Sequence, residues 1–191
     1  MNLSIAKIAL GGGCHWCTEA IFQSLNGVRK VEQGYVASFG ENHSFSEAVI
    51  VHFNTKIISL KNLIEVHLYT HKSTSNHSMR EKYRSAIYTF SEIQFNQAKQ
   101  IVTQFQNKFD NQLITKVHPF RMFKPSKEQM TNYYYKNTKK PFCERFINPK
   151  LQLLLKQFSK QVDMKKLNHL SDDEYKIGTK DIIFDTVVST D

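Results

Sequence analysis

The amino-acid sequence predicts an α+β fold in one compact domain with appendages. The chain has 191 residues, 40% of them hydrophobic, which is enough to bury one good core. Short apolar runs rich in β-branched residues alternate with stretches whose apolar residues recur at helical spacing. Glycine-rich and polar turns separate these segments. The order of the two kinds of segment decides the fold class.

The first half of the chain predicts a strand, a helix and two further strands. Residues 5–10 form the first strand, and the glycine run 11–13 closes it. A helix follows, with apolar residues one turn apart, until Asn26-Gly27 stops it. Residues 28–37 and 47–53 then predict strands on either side of a polar loop.

The second half adds a helix, a strand, a helix and a strand. Ser59 begins an amphipathic helix, and residues 84–90 predict a short strand. A capping box at Ser91 begins a helix whose apolar stripe reaches Phe109, and residues 114–123 predict the last strand. The first six elements have the βαββαβ order of a ferredoxin-like core, for which we expect a mixed or antiparallel sheet.

Beyond this core the pattern predicts two more helices and an irregular tail. One helix starts at a capping box at Ser126, and the other at Asn148-Pro149, where Asn caps and Pro takes the first helical position. The tail contains an acidic run and the apolar stretch 182–188. We therefore divide the chain into a main domain, residues 1–158, and a C-terminal extension of unknown role, residues 159–191.

The charge and the apolar content bear on partners and location. The 26 basic and 17 acidic residues give a net charge of +9, which would suit an anionic partner. The charges are spread out, however, so we expect a solvated basic surface and no nucleic acid. Apolar runs are too short for a signal sequence or a membrane span, which predicts a cytoplasmic protein with no membrane partner.

The three cysteines favour thiol chemistry over a disulfide framework. Cys14 follows the glycine run, which lets the backbone turn tightly and places the cysteine at the positive end of a helix. A thiolate there is stabilised by unpaired backbone N–H groups, so the pKa of this thiol should fall. Trp16 offers an apolar wall for a methyl group or a peptide side chain.

Several motifs resemble those of the methionine sulfoxide reductase A family, in the family's order and over about residues 5–158. The segment GGGCHWCTE at 11–19 resembles the family's G-C-F-W-x-x-E loop, whose Cys is the nucleophile. The other matches are Gly34-Tyr35, Ser46-Glu47-Ala48-Val49, the strand Tyr83-Arg84-Ser85-Ala86-Ile87-Tyr88, Lys136-Asn137 and Phe142-Cys143.

This resemblance implies reduction of protein-bound or free methionine-S-sulfoxide to methionine. Cys14 would attack the sulfoxide sulfur and become a sulfenic acid, while Glu47 donates a proton toward the oxygen with help from Tyr83. Cys143 would then form a disulfide with Cys14, which a thioredoxin-type reductant recycles without any bound cofactor or metal. The substrate would contact His15, Trp16 and Tyr35. We expect a monomer.

The sequence departs from the family at His15, which replaces a Phe of the pocket wall. A protonated imidazole beside Cys14 would lower the thiol pKa, but a polar ring is less favourable for a methyl group. The two effects oppose each other, so the affinity for substrate is open.

Two other functions remain open from the residues. Cys14 and Cys17 have the C-x-x-C spacing of dithiol exchange proteins, although Cys17 shares an apolar helix stripe and is better interpreted as a buried, inert thiol. Alternatively, the chain could be a non-catalytic binding module that uses its basic surface.

Overall fold

The computed structural model describes residues 4–171 and contains a six-stranded mixed sheet. The sheet order is β5-β4-β1-β3-β2-β6. Its strands are β1 (Ile5–Gly11), β2 (Val28–Ala37), β3 (Ser46–Asn54), β4 (Ala86–Thr89), β5 (Lys116–Pro119) and β6 (Met122–Pro125). The acidic run 172–174 and the apolar stretch 182–188 of the predicted tail lie outside the described residues.

The four central strands confirm the predicted α+β fold with a ferredoxin-like core. Strand β1 pairs antiparallel with both β3 and β4, and β3 pairs antiparallel with β2. This is the arrangement that the βαββαβ order predicts, because each helix returns the chain across one face of the sheet. Strand β5 adds to β4 in parallel, and β6 adds to β2 antiparallel.

The predicted single strand over residues 114–123 is wrong, because the chain there changes from one edge of the sheet to the other. The N–H of Phe120 donates to Thr89 O of β4 at 2.8 Å, and the next N–H, of Arg121, donates to Ala37 O of β2 at 3.2 Å. The two edges therefore approach each other at this end of the sheet. Local sequence patterns cannot predict such a switch, since it depends on pairing between distant strands.

The helices mostly begin where capping residues predict. Ser59 and Ser91 each accept a hydrogen bond from the backbone N–H three residues later, as expected of N-caps. The helices are α1 (His15–Gln23), α2 (Leu60–Thr70), α3 (Glu92–Phe105), α4 (Tyr133–Lys136), α5 (Asn148–Gln157) and α6 (Asn168–Ser171). None of the helices within residues 4–171 combines the length and the apolar character needed to cross a membrane.

The two helix starts predicted near the end of the main domain are incorrect in detail. The Ser126 side chain caps no helix, and the element that directly follows this residue is a single 3₁₀ turn, Glu128–Met130. Asn148 does not act as an N-cap either, because a π-helical turn, Cys143–Ile147, runs directly into α5. The Asn148 side chain instead accepts a hydrogen bond from the Tyr134 hydroxyl at 2.8 Å.

Alternating side chains of the central strands pack into two separate hydrophobic cores, one on each face of the sheet. Ile8 and Leu10 of β1 join the large core beneath the helices, whereas Ala9 joins a smaller core on the other face of the sheet. Val162, Leu167 and Leu170 are also buried in the large core, so the first part of the predicted C-terminal extension packs against the main domain. The division of the chain at residue 158 stays a prediction.

Candidate active site

One end of the sheet brings together the segments that the sequence motifs single out. Gly11, the last residue of β1, is paired with Ala48 of β3, so Glu47 lies beside the point where the chain leaves the sheet toward Cys14. In the same register, Tyr35 of β2 is paired with Glu47. Strand pairing therefore places residues that are far apart in the chain around the start of α1.

Gly12, in the middle of the glycine run, is required by a close approach and not by a left-handed turn. Among the described residues, the glycines with positive φ are Gly27 and Gly40, and neither belongs to the run. A Cβ added at Gly12 would lie 2.3 Å from the imidazole of His71. Burial lowers the pKa of His71 well below its usual value, so a neutral ring supports the loop before Cys14.

Cys14 lies at the N-cap of α1 and is partly exposed. Its pKa is lowered, chiefly because the Cys17 thiol donates a hydrogen bond to its sulfur, and further by backbone N–H groups of Trp16 and Cys17. Burial and the negative charge of Glu47 act in the opposite direction. The net result favours the thiolate, which is the nucleophilic form of cysteine.

Cys17 faces the core, as its place in the apolar stripe predicts, and is 5% exposed. Its pKa is strongly raised because it donates to Cys14 and because it is buried. Its sulfur also lies 3.9 Å from the carbonyl oxygen of Phe146, in the π-helical turn that contains Cys143. Cys17 is thus a buried, protonated thiol in contact with Cys14.

The carboxylate of Glu47 is buried, with 6% exposure, although a strand end would ordinarily place it in solvent. Its Oε2 accepts a hydrogen bond at 3.1 Å from the backbone N–H of His15, the first residue of α1. The imidazole Nδ1 of His15 lies 3.7 Å from the same oxygen, and Lys82 Nζ lies 3.6 Å from Oε1. The carboxyl group is therefore fixed at the start of α1 by groups on α1 and on the loop before β4.

His15 is part of the buried floor of the site, with 3% exposure. Its Nδ1 lies 3.2 Å from the carbonyl oxygen of Gly34, and the edge of its ring packs against Tyr35 with the ring centroids 5.4 Å apart. The polar ring is accommodated because a backbone carbonyl and a carboxylate face its Nδ1 atom.

Aromatic side chains form the other wall of the site. Trp16 stacks on Tyr133 with the ring centroids 4.1 Å apart and the planes 7° from parallel. The rings of Phe142 and Trp16 pack edge to face, with their centroids 5.3 Å apart. The next residue, Cys143, is fully buried, its sulfur lies 3.5 Å from Asn137 O, and burial raises its pKa. The segment that contains Cys143 therefore packs against the first turn of α1 through Phe142.

Tyr83 lies across from this wall, in the loop before β4. The guanidinium of Arg80 donates to Tyr83 O at 2.9 Å and to Gly12 O at 3.0 Å, so it ties the tyrosine loop to the glycine run. Lys82 Nζ lies 5.0 Å from the centre of the Tyr83 ring. Lys82 thus lies between the Tyr83 ring and the Glu47 carboxyl group.

A family model described as peptide methionine sulfoxide reductase matches residues 6–163. The chain belongs to this family. A peptide methionine sulfoxide reductase MsrA of Trichodesmium erythraeum is 34% identical over 81% of this chain and 97% of its own length. The corresponding protein of Chromobacterium violaceum is 30% identical over 80% of this chain and 96% of its own. These matches confirm the resemblance inferred from the motifs.

A solved structure supports the fold independently. The crystal structure of Mxr1 from Saccharomyces cerevisiae in reduced form superposes with a TM-score of 0.67. It covers 75% of this chain and 91% of the yeast chain, at 24% sequence identity. The likeness confirms the α+β architecture on which the family site is built.

Three residues around the site were missed as functional candidates. Lys82 lies beside Glu47, and Tyr133 covers Trp16. Glu19, the last residue of the family loop motif, is buried and accepts hydrogen bonds from Gln33 Nε2 and from the backbone N–H groups of Asn132 and Tyr133. Its place in the motif was the available signal, and its role is to position the segment that carries Tyr133.

The contact between Cys17 and Cys14 predicts a change in thiol reactivity. In Cys17→Ala, the pKa of Cys14 should rise because its largest stabilising hydrogen bond is lost. Alkylation of Cys14 by iodoacetamide, followed by peptide mass spectrometry, should then show its midpoint at higher pH than in the unaltered chain. Cys143→Ala is the matched control and should leave the midpoint in place. An unchanged midpoint in Cys17→Ala would contradict the assigned hydrogen bond.

Proposed function

We propose that this chain reduces methionine-S-sulfoxide, free or within a polypeptide, to methionine, with Cys14 as nucleophile and Glu47 as proton donor. One observation carries the proposal: the first turn of α1 holds a thiol of lowered pKa and a buried carboxyl group side by side. A sulfoxide sulfur needs a nucleophile on one side and acid at its oxygen, since that oxygen leaves poorly until it is protonated.

In the first step, the Cys14 thiolate attacks the sulfoxide sulfur while Glu47, in its acid form, gives a proton to the oxygen. The attack forms a bond between Cys14 Sγ and the substrate sulfur, and the protonated oxygen then passes from the substrate sulfur to Cys14 Sγ. As the substrate's sulfur–oxygen bond and the new sulfur–sulfur bond break, methionine leaves and Cys14 becomes a sulfenic acid. The hydroxyl of Tyr83 assists at the oxygen. His15, Trp16 and Tyr35 bind the substrate side chain, with Trp16 in contact with the methyl group.

In the second step, Cys143 attacks the sulfenic acid, water leaves, and a Cys14–Cys143 disulfide forms. Phe142, the residue before Cys143, packs edge-on against Trp16 of the aromatic cluster. Cys143 is fully buried, so this step requires the π-helical turn Cys143–Ile147 to rearrange. Such turns are irregular helical segments that often occur at functional positions.

A dithiol of the thioredoxin type then reduces the disulfide by thiol exchange and restores both thiols. One yeast Mxr1 structure is a complex with Trx2. Membership of the same family supports the same class of reductant here. No step needs a bound cofactor, because the oxidising equivalents end in the external dithiol.

The decisive experiment measures reduction of each methionine sulfoxide epimer with thioredoxin, thioredoxin reductase and NADPH. We expect turnover of the S epimer and none of the R epimer. Cys14→Ser should abolish turnover because an alcohol at this position is not ionised at neutral pH. Turnover by Cys14→Ser, or equal turnover of both epimers, would contradict the proposal.

Replacing Glu47 tests the proton donor. Glu47→Gln keeps the shape of the side chain but cannot donate an acidic proton, so kcat should fall by about 100-fold or more while KM changes little. Glu41→Gln, on an exposed 3₁₀ turn, is the matched control and should retain activity. A twofold loss or less in Glu47→Gln would remove this residue from the mechanism.

Replacing the other two cysteines separates the two possible disulfides. Cys143→Ser should release about one methionine per chain and then stop, because the Cys14 sulfenic acid has lost its partner. Cys17→Ser should continue to turn over, more slowly, since the pKa of Cys14 rises. The reverse pattern, with a Cys14–Cys17 disulfide found by mass mapping, would assign the resolving role to Cys17.

A further inference from the structure

Three basic side chains around the candidate site lie on aromatic rings, and we call them the basic rim. Lys140 Nζ lies 4.0 Å from the centre of the Tyr133 ring, and Arg145 Cζ lies 5.3 Å from that of Phe146. Lys82, with 54% of its side chain exposed, completes the set. Contact with a ring restricts a long side chain, so less entropy is lost when its charge meets a partner.

The basic rim is connected to the reacting groups by direct contacts. Lys140 covers Tyr133, which stacks on Trp16 two residues after Cys14. Arg145 covers Phe146, which packs at 4.9 Å against the Phe142 ring. On the opposite side, Lys82 Nζ is 3.6 Å from Glu47. Positive charges therefore stand on two sides of the place where the sulfoxide reacts.

The surrounding segments add to this positive charge and contain few carboxylates. Residues 136–145 have four basic residues and one acidic residue, Glu144. Residues 80–84 have three basic residues and one acidic residue, Glu81. Both of these carboxylates are exposed, and neither has a hydrogen-bond or ion-pair partner in the described part of the chain. Lys140 and Arg145 have no ion-pair partner in this part of the chain, whereas Lys82 is paired with Glu47, so the positive charge of the rim is only partly neutralised.

We propose that the basic rim makes the enzyme prefer polypeptide segments in which carboxylates flank the oxidised methionine. This inference rests on the proposed function, since it concerns the substrate of that same site. Flanking residues of a bound segment extend away from the methionine side chain in both directions, toward Lys82 on one side and Lys140 and Arg145 on the other. Charge complementarity of this kind raises the association rate and selects among partners.

A nucleic acid is the less favoured occupant of this surface. Binding of single strands relies on exposed aromatic faces on which bases stack. Here one face of Trp16 is already covered by Tyr133, and Tyr133 is covered in turn by Lys140. The rim flanks a site for one side chain and does not present an open stacking surface.

The test compares three peptides that differ only in the residues flanking one methionine-S-sulfoxide: two Glu, two Gln or two Lys. With the full chain at low ionic strength, kcat/KM should be about fivefold higher for the Glu peptide than for the Gln peptide, and lower again for the Lys peptide. At roughly 0.5 M salt the ratio should approach one, because salt screens exposed charges. The double variant Lys140→Glu/Arg145→Glu should lose or reverse the preference.

Lys99→Glu is the matched control. Lys99 also lies over an aromatic ring, with Nζ 5.5 Å from the centre of the Phe95 ring, but it belongs to α3. This variant should keep the preference for the Glu peptide. Equal kcat/KM for all three peptides in the unaltered chain would overturn the proposed role of the basic rim, whatever the variants do. The proposed reductase activity would not be affected. Turnover of none of the peptides while free methionine-S-sulfoxide is reduced would overturn this inference alone, and turnover of neither kind of substrate would overturn both proposals. If the inhibition constant of a single-stranded oligonucleotide is lower than the KM of the Glu peptide, the rim is assigned to nucleic acid and the inference is overturned.

Discussion

The unpaired backbone N–H groups in the first turn of α1 are the constraint on which the site depends. An α-helix leaves its first N–H groups without partners inside the helix, and they attract negative charge. Here the N–H of His15 donates to the carboxylate of Glu47, and the N–H of Trp16 helps to stabilise the Cys14 sulfur. The Cys14 sulfur and the Glu47 carboxyl group are thus held at the same helix end.

This shared location makes the two groups depend on each other. The negative charge of Glu47 raises the pKa of Cys14, whereas the Cys17 thiol and the helix N–H groups lower it. Removal of either charge would relieve the repulsion between them. The proposed reduction of a sulfoxide requires a thiolate beside a carboxyl group that carries a proton.

Local sequence signals predicted the elements that depend on local interactions. Strand β2 and the caps at Ser59 and Ser91 follow from β propensity and side-chain capping within a few residues. The crossing between β5 and β6 was not predictable, because it depends on hydrogen bonds to strands at opposite edges of the sheet. The predicted N-cap at Asn148 is wrong because a π-helical turn, Cys143–Ile147, runs directly into α5.

The same distinction between local and tertiary interactions applies to the candidate site. Cys14 and Glu47 could be singled out because they lie in recognisable motifs, and the structure brings both to the start of α1. The stacking of Tyr133 on Trp16 and the approach of Lys82 to Glu47 arise only from tertiary packing, so no pattern in the chain points to them. For His15, the sequence predicted a change of polarity, but not the Gly34 carbonyl that the imidazole meets.

The central claim is that oxygen passes from the substrate sulfur to Cys14 before any other cysteine is oxidised. Rapid mixing of the fully reduced chain with one equivalent of methionine-S-sulfoxide, with acid quenching and peptide mass spectrometry, tests it directly. The first oxidised peptide should contain Cys14, and it should appear at the rate at which methionine is formed. Methionine released while Cys14 remains reduced, or first oxidation at Cys17 or Cys143, would contradict the account.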